Sequence, residues 1–296
     1  MLTGTKQVNL SENSSQLSPS RLSWLCFIST FALMKRAVFF LMAIVMVSCG
    51  QVTDTDTESQ LSLKESEPGL TEKIEEAHSK HDFLSNDVVQ FDIVLEFGGT
   101  ERLNGTMTLA TNSTAGKIAY KNGKELYYDQ DKVFASPQTE NTGSARFAAY
   151  TWSYFFLFPY KLSDPGTNWS EVSEVNLNGD VYNSQKLTFG AGIGDAPDDW
   201  YIAYSDPHTH LLKVAAYIVT AGGTTVEEAE EDPHAISYHD YKDLNGVALA
   251  RSWKFWEWRK DSGLTRQLGK AELSNFTFLK AENVDLSAPE DFVLIE

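Results

Sequence analysis

Cysteine is scarce: two residues in a chain of 296. That count excludes a small scaffold stapled by disulfides, and no Cys/His cluster has the spacing of a zinc site. Basic residues are also short, 24 Lys and Arg against 41 Asp and Glu for a net charge of -17. Nucleic-acid binding needs a Lys/Arg face that displaces counterions, so that class is excluded. No apolar run reaches the roughly 20 residues that span a bilayer. No serine lies in a G-x-S-x-G nucleophile turn, no EF-hand-type loop of spaced oxygen ligands is present, and no internal repeat has a fixed period. What remains is an average globular composition, 42% hydrophobic and 22% charged, with aromatics at 12% favouring sheet over helix. A folded part of this size buries roughly 70% of its extended-chain surface around one core.

The N-terminal region reads as a targeting segment. Two apolar stretches, 22–34 and 37–47, are separated by Lys35 and Arg36. The second has the length and the basic flank of a secretory signal core. Met34 opens that unit as MKRAVFFLMAIVMVSCGQ, so residues 1–33 read as an upstream extension and 34–48 as a signal peptide. The competing reading is a long N-terminus followed by a kinked membrane helix. Val47-Ser48-Cys49-Gly50 resembles the lipobox of bacterial lipoproteins. That resemblance implies cleavage before Cys49 and acylation of its thiol, and several acyl chains on one residue anchor a protein stably. Residues 1–48 hold four of the basic residues and one of the acidic ones, so 49–296 carries 20 basic and 40 acidic residues. Residues 49–68 are polar and acidic and read as a flexible tether reaching on the order of 25 Å.

The remaining segment, 69–296, reads as one domain. Residues 70–83 have helical periodicity, with Leu70, Ile74, Ala77 and His78 on one face. From Asp87 the period changes to two: Val89, Phe91, Ile93, Leu95 and Phe97 alternate with polar or smaller residues. Further strands are predicted at 102–110, 116–120, 124–128, 132–135, 169–177, 182–189, 200–204, 211–220, 235–241, 247–258 and 269–278. The connecting turns are marked by Asn122-Gly123, the best two-residue hairpin signal, and by Asn178-Gly179, Asp206-Pro207 and Leu244-Asn245-Gly246. Residues 144–160, SARFAAYTWSYFFLFPY, interrupt the strands with an element apolar on all sides, which as a helix must be almost wholly buried, ending at Pro159. Short links imply antiparallel pairing, and about ten such strands must curl or close.

Three segments carry a family resemblance: TWSYFFLFPYKLSDPGT at 151–167, DWYIAYSDPHTHLLKVAAYIVT at 199–220 and HAISYHDYKDLNGVALARSWKFWEW at 234–258. With the cysteine, tether and helix before them, they resemble the LolA/LolB-like lipoprotein-localisation architecture and, within it, an uncharacterised family of lipoproteins from the Bacteroidota. The resemblance covers roughly 70–296. It implies a mainly β, α+β fold: an open, strongly curved antiparallel half-barrel with an N-terminal helix, and the apolar helical insert over its concave face. It implies no catalytic residue and matches no trafficking residue position by position.

The aromatic residues are the main candidates for a site. Tyr150, Trp152, Phe155, Phe156 and Phe158 of the insert, with Trp253 and Phe255, are expected to line a pocket for acyl chains or another apolar ligand. The competing reading is plain core packing. Strand alternation puts Trp256 and Trp258 on the face opposite Trp253 and Phe255. His208 and His210 share a turn, and His234, His239, Asp240, His78 and His81 add pairs but no convergent triad, so exposed imidazoles are expected and no metal. Gly190, Gly192 and Gly194 do not complete a dinucleotide fingerprint, because Asp195 stands at the third glycine position and a strand follows; a flexible loop is expected. The acidic run Glu227, Glu228, Glu230, Glu231 and Asp232 reads as a solvated loop. The function expected is therefore a non-enzymatic binding or carrier protein, monomeric and without cofactor. It would be lipid-anchored in the cell envelope, at the outer membrane, with a lipid or acylated ligand in the concavity. The alternative is a structural or interaction lipoprotein with a fully packed core.

Overall fold

The computed structural model describes residues 68–139 and 142–295. The upstream extension 1–33, the signal peptide 34–48, Cys49 and the tether up to residue 67 lie outside the described residues.

Two meanders meet in the middle of one 14-stranded antiparallel sheet. The first runs outward from the centre: β1 (Val88–Phe97), β2 (Thr100–Ala110), β3 (Ala115–Tyr120), β4 (Glu125–Asp129) and β5 (Lys132–Ala135). Helix α3 (Thr142–Leu157) then carries the chain to the opposite edge. From there β6 (Thr167–Trp169), β7 (Ser173–Leu177), β8 (Asp180–Phe189), β9 (Tyr201–Ser205), β10 (Leu212–Tyr217), β11 (His234–Leu244), β12 (Val247–Arg259) and β13 (Gly263–Leu279) return inward. β13 pairs with β1, and β14 (Val293–Ile295) adds to β5 at the far edge. β14 and β6 end the strand order without pairing to each other, so the sheet is open and curved, not a closed barrel.

The mainly antiparallel, half-open architecture expected from the sequence is the one observed, with more strands than about ten. The predicted strand 169–177 is divided into β6 and β7, and the short β14 was not anticipated. Two strand glycines sit where neighbouring backbones come closest. A Cβ on Gly105 would lie 2.1 Å from the Ala119 carbonyl oxygen, and one on Gly269 would lie 2.2 Å from that of Glu96. Such positions tolerate only glycine and let strands bend. The Asn178-Gly179 and Asn245-Gly246 links are two-residue hairpins with both φ angles positive. Asn122-Gly123 is not: β3 ends at Tyr120 and β4 begins at Glu125, and only Gly123 has positive φ. Asn122 instead caps the wider loop by accepting the Lys124 N–H through its side-chain oxygen at 3.1 Å.

The predicted helix 70–83 is two helices, α1 (Leu70–Ala77) and α2 (Lys80–Leu84). Ser79 breaks it at φ +54°, its hydroxyl donating to the Gly246 carbonyl at 2.8 Å. That tertiary bond and the burial of His78 override a continuous helical periodicity. The acidic run 227–232 is likewise not a loop. It forms most of α4 (Val226–Glu231), whose capping box joins Thr225 and Glu228.

Alternation divides the apolar residues between two faces. Ala203, Ala215, Tyr217, Ile236, Tyr238, Trp253 and Phe255 point to the concave face with α1, α2 and α3. Tyr204, Val214, Ala216, Ala235 and Trp258 point the other way, into a second, smaller core with Trp200 and Ala229 of α4. Trp200 and Trp258 meet there edge to face at 6.1 Å.

Candidate functional site: a cavity beneath the crossing helix

From Phe155 to Tyr160 every residue of the insert is buried, the last three in a 3-10 turn containing Pro159. The concave space beneath it is filled unequally. Next to α1 and α2, Phe83 stacks on Tyr160 at 3.8 Å, Phe156 lies over Phe91 at 4.3 Å, and the remaining void is about 10 Å³, room for a single water. On the β9–β10 side, α3 stands over a cavity of about 850 Å³. That is within the size range of ligand pockets.

The cavity has aromatic and aliphatic walls. Phe147, Tyr150, Tyr154, Phe155 and Leu157 come from α3, Phe189, Tyr201, Tyr217 and Val219 from the sheet side, and Ile193 from the β8–β9 loop. The glycine-bearing loop of Gly192, Ile193 and Gly194 is thus part of the cavity wall. Its Asp195 accepts from Arg146 of α3 at 2.6 Å, and Arg146 also lies over the Tyr150 ring at 5.1 Å and donates to the Asp131 carbonyl. Lys161 at the other end of the insert donates to Asp164 at 2.5 Å and Ser113 at 2.7 Å. Asp199 accepts from the backbone N–H and the hydroxyl of Thr220 at 2.7 and 2.8 Å. Burial raises the pKa of its carboxyl, against the two Thr220 hydrogen bonds that lower it. Burial likewise raises Tyr154, Tyr201 and Tyr217, to which the Asp199 charge adds, so these phenols stay protonated.

Of the seven aromatic residues singled out in the sequence, Tyr150 and Phe155 line this cavity. Trp152 and Phe255 pack edge to face at 5.9 Å, Phe158 sits against Tyr154 at 5.6 Å, and Phe156 and Trp253 border the small void at the filled end. Tyr154, Tyr201, Tyr217, Arg146 and Asp199 were not singled out. Tyr201 and Tyr217 fall on the apolar phase of their strands, where alternation marks burial but not what they face.

His78, in the filled end, is completely buried, donating from Nδ1 to the Ile74 carbonyl at 2.9 Å, with Nε2 3.4 Å from the Tyr241 hydroxyl. Burial lowers its pKa to about 4. His208 is exposed in the β9–β10 turn, where the Asp206 side chain caps the backbone N–H groups of His208 and Thr209. Ser237 and His239 are 2.8 Å apart on the outer face, and Trp256 donates to the same hydroxyl at 2.8 Å. Among the described residues, no group of three or more His, Cys, Asp or Glu converges as metal ligands, and no helix is long and apolar enough to cross a membrane.

An open antiparallel sheet with a helix-roofed cavity on its concave side defines the class. The chain belongs to a family of unknown function, DUF6503, whose model matches residues 90–267. Among solved structures it is similar to a LolA superfamily protein from Nitrosomonas europaea, at 8% identity, covering 70% of this chain and 94% of that one with a TM-score of 0.46. It is similar to a DUF1329 family protein from Desulfovibrio piger at 10% identity, with 71% and 92% covered and a TM-score of 0.46. It is also similar to the Mycobacterium tuberculosis lipoprotein LppX at 14% identity, with 53% and 91% covered and a TM-score of 0.25. No curated protein matches the sequence.

Proposed function

We propose that this protein is a non-enzymatic binding or carrier protein of the cell envelope. Residues 69–296 form its folded domain, and a lipid on Cys49 tethers it to the outer membrane. Its ligand is an apolar molecule, a lipid or an acylated compound, held between α3 and strands β9 and β10. The observation that carries this reading is the cavity of about 850 Å³ with largely apolar walls. Protein interiors are otherwise close-packed, and an apolar space of this size gains stability when filled. Each methylene transferred into it contributes about 0.8 kcal/mol, so a long acyl chain would bind without any covalent step.

The ligand reading is tested with the full chain and the environment-sensitive probe N-phenyl-1-naphthylamine. Saturable fluorescence enhancement is expected, with displacement by long-chain amphiphiles. An unchanged emission at every protein concentration, together with no lipid in an organic extract of the purified chain, overturns it. Anchoring is tested separately by Cys49→Ala: the variant is expected in the soluble fraction, and undiminished membrane partitioning overturns that part of the reading.

A further inference from the structure

We propose that the cavity selects an uncharged, hydrogen-bonding head group of the glyceride type, which the hydroxyls of Tyr154, Tyr201 and Tyr217 and the free carboxylate oxygen of Asp199 receive. The proposal rests on the carrier reading above and names its ligand class. Tyr201 and Tyr217 are register partners on β9 and β10, so their side chains stand together on one face, rings 5.9 Å apart, and Tyr154 comes down from α3 to 5.4 Å from Tyr201. All three line the cavity, and Tyr201 and Tyr217 are only 8% and 5% exposed.

Three other buried tyrosines of the concave face use their hydroxyls on backbone carbonyls. Tyr238 donates to the Phe155 carbonyl at 2.9 Å, Tyr160 to that of Ala248 at 3.2 Å and Tyr241 to that of Leu212 at 2.5 Å. Among the described residues, Tyr154, Tyr201 and Tyr217 make no such bond, and Asp199 spends only Oδ1, on Thr220. Three unbonded phenols and a half-used carboxylate on the wall of one cavity make a set of donors and an acceptor open to a ligand.

Charge decides which partner. The two cations of the wall, Arg146 and Lys161, are each already held by a carboxylate, Asp195 and Asp164. Asp131 and Asp199 remain, so the wall carries an excess of negative charge and disfavours a free carboxylate or phosphate head. The directly packed tyrosine rings leave no gap between them for a quaternary ammonium ion. An ester carbonyl can accept from the phenols while a glycerol hydroxyl donates to Asp199 Oδ2, and a monoacylglycerol offers both.

The test is displacement of N-phenyl-1-naphthylamine from the full chain by three C16 compounds below their micelle concentrations: monopalmitoylglycerol, palmitate and hexadecyltrimethylammonium. The glyceride is expected to compete at about a tenfold lower concentration than either ion, and Tyr201→Phe with Tyr217→Phe to bring the ratio of glyceride to palmitate competition, read on each protein with its own probe titration, to about one. An ion competing equally well or better, or a double variant that keeps the preference, overturns the head-group assignment and leaves the carrier reading standing. Failure of the probe itself to bind overturns the carrier reading and this assignment with it.

Discussion

At one end of the concave face α1 and α2 press Phe83 onto Tyr160 and leave about 10 Å³; at the other, α3 faces β9 and β10 across about 850 Å³. Both ends are rich in aromatic rings, so aromatic content does not separate core from pocket. Polar satisfaction does. At the filled end the Glu75 carboxylate takes the Ser163 N–H and hydroxyl and the Lys80 ammonium at 2.7–2.9 Å, and the hydroxyls of Tyr160 and Tyr241 are bonded. At the hollow end three phenols are unbonded, and the loop forming one wall is held to the helix by the partly exposed Arg146–Asp195 pair. The filled end is built for stability; the hollow end gives up packing for accessible surface.

The sharpest way to break this comparison is to truncate one phenylalanine at each end. Phe83→Ala removes a fully buried stacked ring and is expected to cost about 3–5 kcal/mol in urea denaturation. Phe147→Ala, on the cavity wall, is expected to cost about 1 kcal/mol, because one side of its ring faces the cavity and not packed side chains. Equal losses would mean that the two ends are packed alike.

Next in size is the pH response of the filled end. The folded-state pKa of His78, about 4, lies below the unfolded value of 6.5. Between those values the unfolded chain takes up a proton that the folded one refuses, so stability is full above pH 6.5 and falls as pH drops towards 4. The loss is on the order of 3 kcal/mol. His78→Gln is expected to flatten that part of the curve, and a parallel wild-type and variant profile in thermal melts would refute the assignment. Glu75→Ala, which leaves the Ser163 donors and Lys80 without their acceptor, is expected to cost about 1–3 kcal/mol by the same denaturation measurement. The smallest effect belongs to the hollow end: a double-mutant cycle on Arg146→Ala and Asp195→Ala is expected to give a coupling below about 1 kcal/mol. A larger coupling would show that the loop is clamped as firmly as the core.

Most strands were legible because one buried face stamps a period of two on the chain, and the division of Trp253 and Phe255 from Trp258 followed from that period alone. The apolar insert was legible because a helix greasy on every side has nowhere to go but inside. The break at Ser79 was not, since it depends on a bond to Gly246, 167 positions away. The small β14 was not, because three residues show no period. Of the cavity, Tyr150 and Phe155 could be named from composition, whereas Arg146, Asp195 and Asp199 could not. Charged residues on a helix start and in loops look like any solvated surface until the chain brings them to one rim.

The sequence by itself determined an antiparallel meander with an apolar crossing element, because periodicity and turn chemistry are local properties. Only the tertiary structure decided that the space under that element is full at one end and empty at the other. A void is defined by what distant segments fail to reach, and no local pattern of residues encodes that.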